Sequence, residues 1–543
     1  MTALQQNERW RWLTAGAVAI CLLAFILLLG ILIWQGARAF WPQPVDLYQL
    51  SQPDGSTLVL LGETVEKTPL SDPAAREQNE NGEVIRYLLK TANRDVAAPD
   101  FRVILSRDAL PVTRPSGIMT VQRRSNGNAL GWFVELRQDN ERLTAQNTHA
   151  LLRQRLAKVH TLLRQASAVR HTGMARVNNQ LRTLEIPAAA QRSAGTFTPQ
   201  AESEYAANRV ALQRQFRELS TRLAALQQES NRDELILRDV QGTERSIPLA
   251  QIVDAWYPNA MTFSQKWHHF WRQVWHFVSD TPAAGQSESG AFPAIFGTVL
   301  MVLLMSVIVM PLGVVAAVWL HEYAGRNALT RLVRIAVVNL AGVPSVVYGV
   351  FGLGFFVWLV GGTLDQLFFS HALPNPTFGT PGLLWAALTL ALLTLPVVIV
   401  ATEEGLSRIP DSLRQGSLAL GATKAETLWH VVLPMALPAM LTGLILAVAR
   451  AAGETAPLML VGVVKMVPEL PVDAVFPYLH LDRKFMHLGF QIYDLAFQSP
   501  NIEADRPLIY ATALLLVLII LSLNLVAMGL RHRLRERYRI LTQ

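Results

Sequence analysis

Six stretches of the chain are almost unbroken apolar runs: 13 to 34, 292 to 320, 332 to 360, 382 to 401, 435 to 463 and 508 to 530. Each reaches the roughly 20 residues an α-helix needs to cross about 30 Å of hydrocarbon, so six spanning helices are expected. The long region between the first two runs is too polar for lipid and reads as a separate extracytoplasmic domain, 36 to 288. From 46 to 138 its pattern is short and alternating. STLVLLGE, EVIRYLLK, FRVILS and GWFVELR read as strands, bounded by the turn signals PDG, NG and SNGN. The period then changes. Leu152, Leu156, Val159, Leu163, Ala166, Val177, Leu181 and Leu184 share one heptad phase, interrupted at Arg170 and Gly173. After the breaker PAAAQRSAGTFTPQ, a second arm repeats the phase at Tyr205, Leu212, Phe216, Leu219, Leu223 and Leu226. Two such arms predict an antiparallel helical hairpin over 142 to 230, its first arm on the order of 65 Å long at 1.5 Å per residue. Strand-like alternation returns over 232 to 258. The expected fold class is an all-α polytopic membrane protein of six transmembrane helices, with a large inserted α+β domain that contains a helical, coiled-coil hairpin.

Over 262 to 280, Trp267, Trp271 and Trp275 fall on one helical stripe beside His268, His269 and His276. Tryptophans just before a span form an interfacial belt. The histidines lack a carboxylate or thiol at matched spacing for a metal, so the belt is the preferred reading.

Composition agrees with lipid: 51% of residues are hydrophobic and 16% charged, too apolar for a water-soluble chain of 543 residues. The one cysteine, Cys21, lies in the first run and excludes a disulfide within the chain or a thiolate cluster. The net charge of +7 reads as topology rather than as nucleic-acid binding. Arg531, Arg533, Arg535, Arg537 and Arg539 crowd the tail, 532 to 543 being its basic end, and the loop 321 to 334 holds three arginines. The loop 361 to 381 has no Lys or Arg. The positive-inside rule then puts both termini and the loops 321 to 334 and 402 to 434 in the cytoplasm. Segment 1 to 35 is expected to be a retained signal-anchor helix.

Few residues carry candidate chemistry. LHEYAG, from 320 to 325, has Gly325 where a zinc helix needs its second histidine, and GVFGLG at 349 to 354 sits inside an apolar run. No GxxxxGK[ST] occurs, so no ATPase site, catalytic residue, cofactor or metal is expected. Arg450 and Glu454, four apart in the fifth apolar run, are costly in hydrocarbon. Either they only neutralise each other, or Arg450 lowers the barrier to an anion, with Thr455 adding a hydroxyl. On a continuous helix Arg450 is expected near mid-membrane. Pro344-Ser345, inside the third run, marks a gating kink or a packing kink.

The segment 403 to 434 predicts a surface helix-turn-helix: a helix to Leu420, a reversal at Gly421, a short amphipathic piece from Thr423, then Leu433-Pro434. Gly421-Ala422-Thr423, Val431 and Leu433-Pro434 have the spacing of the EAA loop, and the segment resembles that loop of ABC-transporter permeases. The resemblance implies that this loop, with Glu403 beside it, docks on a cytoplasmic ATPase. The Glu-Ala-Ala of the family falls here on Gln415, Gly416 and Ser417. SGAFPAIFGTVLMV, NLAGVPSVVYGVFGLGFF, ARAAGETAPLML and FQIYDLAFQSP extend the likeness: from about 289 to 539 the chain resembles phosphate ABC permeases of the PstA type. That resemblance implies a type I importer permease domain over 289 to 531 in the inner membrane, with 36 to 288 periplasmic. It implies inorganic phosphate as substrate, a second permease of the PstC type, an ATPase dimer and a periplasmic phosphate-binding protein. The alternatives are a permease for sulfate or molybdate and a membrane-anchored sensor or scaffold that uses the hairpin.

Overall fold

The computed structural model describes residues 3–51, 57–70, 84–92, 101–106, 109–125, 127–139, 141–143, 148–193, 195–281, 290–325, 327–370, 376–467, 469–473, 476, 478–499 and 502–539. The PDG and NG turns, at 53–55 and 81–82, and Asn126 of SNGN lie outside them. The chain divides into a membrane unit, Met1–Trp34 with Ala291–Asp494 and Ile509–Gln543, and an inserted unit, Gln35–Gly290 with Leu495–Leu508.

Among the described residues six helices are long and apolar enough to cross a membrane: Arg11–Ala37, Phe292–Tyr323, Ser345–Phe368, Leu383–Ser407, Lys424–Gly453 and Asp505–Arg533. Leu383–Ser407 is the central one and packs against Phe292–Val318 on one side and Leu433–Gly453 on the other. Small residues make these approaches close. A Cβ on Gly313 would stand 2.6 Å from the Val398 side chain, and one on Gly443 would stand 2.8 Å from Ala401. Met301, Met305, Val309, Leu390, Val398 and Ala447 are buried between the helices. The first and last of these helices differ: no part of the most apolar window of either is buried.

Two of the expected spans are redrawn. The run 332 to 360 is two helices, Ala328–Leu340 and one starting at Ser345. Pro344, with no N–H to donate back, stands at the cap of the second with φ −56° and ψ 137°. The Pro344-Ser345 pair therefore opens a span instead of kinking one, and the irregular stretch of that span is the π-helical Gly352–Gly361. The run 435 to 463 is likewise broken. Its helix ends at Gly453, Glu454 is extended with φ −81° and ψ 119°, and a short helix, Leu458–Val461, follows.

The inserted unit carries two antiparallel sheets. The first joins β1 (Val45–Ser51), β2 (Thr57–Leu70), β3 (Val84–Lys90), β4 (Phe101–Leu105) and β5 (Ala109–Thr113) in the order β4-β3-β2-β1-β5. The second joins β6 (Ile118–Arg123), β7 (Ala129–Gln138), β9 (Asp233–Arg238), β10 (Glu244–Pro248) and β11 (Ile252–Trp256) in the order β10-β9-β7-β6-β11, with β8 (Glu141–Arg142) paired to β7. Met119, Val121, Leu136, Leu235 and Ile252 from this sheet meet Leu152, Leu156 and Val159 of the helix Thr148–Ala168. Beyond Ala168 the helix continues through a π turn, Val169–Met174, into Ala175–Ser193. The helix Pro199–Ser230 packs along it. At the π turn Gly173 brings the two together: a Cβ there would stand 3.3 Å from Leu219. The extra residue of a π turn shifts the helix face, which accounts for the heptad break read at Arg170 and Gly173. The helix Phe263–Ser279 starts at a capping box of Thr262 and Gln265, and leaves Trp267, Trp271 and Trp275 exposed.

Asn259 links the first sheet to the segment ahead of the second. Its Oδ1 accepts from the Val45 N–H at 3.1 Å, and its Nδ2 donates to the carbonyls of Val45 at 2.7 Å and Pro115 at 2.9 Å. Replacing Asn259 by Ala leaves three backbone groups without their partner, and should lower stability by about 2 kcal/mol. Thermal unfolding of the full chain in detergent, compared with wild type, measures this.

Candidate functional site

The break after Gly453 positions the charged pair. Arg450 lies in the last turn of the Leu433–Gly453 helix, where carbonyls without intrahelical partners favour a cation. It therefore lies at the end of a helix rather than at the middle of a continuous span. Glu454 is the capping residue, and its carboxylate approaches Arg450 Nε to 3.6 Å. The side chains are 34% and 23% exposed, so neither is sealed in apolar surroundings. One long contact leaves most of the guanidinium's five donors free.

The segment after the break fits only because its neighbours are glycines. A Cβ on Gly349 would lie 2.8 Å from Pro457, and one on Gly489 would lie 2.1 Å from Thr455 Oγ1. Thr455 thus comes against the helix Leu488–Tyr493, whose cap is His487. His487 is 1% exposed, and burial pushes its imidazole down to about 4. Its Nδ1 accepts from the Gly489 N–H at 3.1 Å, so Nε2 carries the proton. Among the described residues Nε2 has no hydrogen-bond partner, nor do Gln491 Oε1 and Asp494 Oδ1. Asp494 Oδ2 is paired with Lys465 at 2.8 Å. None of these groups was legible as a site in the sequence, although FQIYDLAFQSP, which holds Gln491 and Asp494, was among the segments that carried the resemblance.

The loop from 403 to 434 forms the expected reversal. The helix Asp411–Ala419 stops at Leu420, and Gly421 turns the chain with φ +90°, a conformation only glycine adopts without strain. Ala422 follows, and Thr423 caps the next helix: its Oγ1 accepts from the Glu426 N–H at 3.3 Å, while Glu426 accepts from the Thr423 N–H at 2.7 Å. Ser417 and Thr427 hydroxyls, 2.9 Å apart, tie the two arms together. Val431 lies in the π turn Leu428–Val432, which runs directly into the helix beginning at Leu433-Pro434. The helix is therefore already under way at Lys424, ten residues before Pro434.

Sequence spacing did not reveal what holds this loop. Glu322, at the end of the Phe292–Tyr323 span, takes Arg414 at 3.1 Å; both are mostly buried, 12% and 17% exposed. Arg414 also donates to the carbonyls of Leu406 at 2.9 Å and Ile409 at 3.1 Å. Lys424 donates to the Glu322 carbonyl and sits over the Tyr323 ring, 4.5 Å from its centre. Glu403 pairs with Arg334 at 3.1 Å. Gln415, Gly416 and Leu420 remain at the surface.

A family model described as the binding-protein-dependent transport system inner membrane component matches residues 309–540. The phosphate transport system permease protein PstA of Yersinia pestis is 32% identical over 251 residues, 46% of this chain and 75% of that protein. This chain belongs to the binding-protein-dependent inner-membrane permeases. Phosphate transport system permease protein PstA 1 of Mycobacterium tuberculosis is 37% identical over 212 residues, 39% of this chain. The permease spans 60% of that relative's length. A chain of the methionine ABC transporter MetNI in an inward-facing conformation aligns at 19% identity and a TM-score of 0.34, covering 44% of this chain and 94% of that one, too loosely for any detail to transfer. The family is one of membrane components without an ATPase site of their own, and the permease is a multi-pass inner-membrane protein with six candidate spans.

The buried imidazole makes a pH dependence. An unfolded histidine takes up a proton below about pH 6.5, whereas folded His487 resists until about 4. Stability should therefore fall as pH drops through that window, by about 2 kcal/mol at pH 5 for this group. Thermal midpoints of the detergent-solubilised permease between pH 7 and 5 measure the slope, and His487→Asn should flatten it.

Proposed function

We propose that this permease is one subunit of an ATP-driven importer of inorganic phosphate. Two ATPase subunits, a second permease of the PstC type and a periplasmic phosphate-binding protein complete the assembly. The observation that carries the reading is Arg450: a partly exposed guanidinium at a broken helix end, held by Glu454 at 3.6 Å through a single contact. Such a group can offer two parallel N–H donors to oxyanion oxygens, while Glu454 keeps the attraction weak enough for release. The named relatives of the permease region are phosphate permeases, which supports phosphate over sulfate or molybdate. In this reading both termini are cytoplasmic and residues 36–288 form a periplasmic domain inserted ahead of the transport domain, 289–531. Arg450, Glu454 and Thr455 line the pathway, and Pro344 and Ser345 set the angle at which their span enters.

The loop from Glu403 to Pro434 meets the ATPase through Gly421, Ala422 and Thr423, and the chain through Val431 and Leu433-Pro434 continues unbroken to Arg450. Glu403 acts indirectly, by fixing Arg334 against the loop.

Radiolabelled phosphate uptake into vesicles that hold both permeases, the ATPase and the binding protein tests the whole reading, with sulfate as competitor. Wild type should accumulate phosphate on ATP addition and ignore sulfate; competition by sulfate would transfer the reading to another oxyanion. Arg450→Gln should abolish uptake while the assembled complex still hydrolyses ATP, and normal uptake by that variant would remove Arg450 from the pathway. Arg414→Ala, which detaches the loop from Glu322, should cut uptake at least tenfold with the ATPase still bound, as read by co-purification.

A further inference from the structure

The inserted unit holds a cavity of about 670 Å³, within the size range of small-molecule sites and much larger than a bare oxyanion needs. Its wall carries charges of both signs, with one more Lys or Arg than Asp or Glu. Arg38, Arg124 and Arg164 all line it, and among the described residues none of the three has a carboxylate within ion-pair distance. Of the four acids in the wall, Glu66 pairs with Arg506 at 3.4 Å, Asp280 pairs with His276 at 3.0 Å, Asp505 accepts from Ser499, and Glu63 is the fourth. Arg124 is open to the cavity, yet the surrounding protein lowers its pKa by burial, with Asp280 offsetting this only in part. A guanidinium so exposed and without a carboxylate partner keeps its donors available to an incoming anion.

Aromatic rings make up part of the wall, which includes residues from the ends of two spans. Phe40, Trp41, Trp256 and Phe277 contribute rings. Trp41 packs edge-on against Trp267, 5.7 Å between ring centres, on the helix whose tryptophans are exposed. Gln35 belongs to the end of the first candidate span, and Asp505 to the start of the last; both line the cavity. A span ends at the headgroup layer, so this wall reaches the level of lipid phosphates.

We propose that the cavity is a binding site for a phosphate group, held by Arg38, Arg124 and Arg164, with the aromatic wall receiving the glycerol and first methylenes of an anionic phospholipid. The same guanidiniums would accept free inorganic phosphate, and the test separates the two sources. The proposal does not depend on what the permease transports.

The full-length permease is placed in phosphatidylcholine nanodiscs and titrated separately with short-chain phosphatidylglycerol and with inorganic phosphate. Binding is followed by calorimetry and by the fluorescence of Trp41 and Trp256. The expected result is saturable binding of one phosphatidylglycerol, weakened at least tenfold in Arg124→Gln/Arg164→Gln and several-fold in Arg38→Gln, with Arg153→Gln as a control outside the cavity. Binding of inorganic phosphate with the same arginine dependence would keep the site and assign it to the free anion. Binding of neither ligand to wild type overturns the proposal, whether or not the double variant folds. So does a phosphate signal removed by Arg450→Gln and untouched by the cavity variants.

Discussion

Backbone that leaves helical form within an apolar layer must find its hydrogen bonds in the protein, because lipid offers none. The stretch that follows Gly453 meets this demand in detail. Gly462 accepts from the Phe485 N–H at 3.3 Å, Val461 from the Gly382 N–H at 3.0 Å, and Phe485 from the Val464 N–H at 3.0 Å. At Gly462 and Gly382 the backbones approach more closely than a side chain would allow. A Cβ on Gly462 would meet Gly382 at 2.8 Å, and one on Gly382 would meet the Asp482 carbonyl at 2.5 Å. The glycines are therefore the condition for ending a helix there. Ending it is what leaves Arg450 at a helix terminus with part of its surface free.

The same economy governs the loop at the other end of the Lys424–Gly453 helix. Gly421 reverses the chain, the capping box of Thr423 and Glu426 starts the helix again, and the mostly buried Glu322–Arg414 pair holds the loop to the first permease span. Removing one partner of such a pair leaves an uncompensated charge, so the pair resists separation even where its net contribution to stability is small. The loop is thereby tied to two spans, one through covalent helix and one through Glu322.

In the inserted unit, positive charge is left over where the sheets, the long helix Thr148–Ala168 and the helix Phe263–Ser279 border one cavity. Elsewhere in that unit a buried cluster is paired: Asp254 takes Arg272 at 2.5 Å, and buried His269 lies beside both. The cavity arginines are set apart by lining one shared concave wall.

Hydrophobic run length and turn chemistry were enough to determine six candidate spans, the strand-rich and helical stretches between the first two, and the Gly421 reversal. These depend on local properties: apolar length, heptad phase and the φ tolerance of glycine. They also singled out Arg450 and Glu454, because two charges in an apolar run are conspicuous in one dimension. Only the tertiary structure decided that the third run is two helices and that the fifth stops at Gly453, since apolar composition is identical on either side of a break. It alone brought Glu322 to Arg414, Thr455 to Gly489 and three arginines to one cavity. Those meetings join residues far apart in the chain, and a side chain's partner across such a distance is set by how helices and sheets pack, which no local pattern encodes.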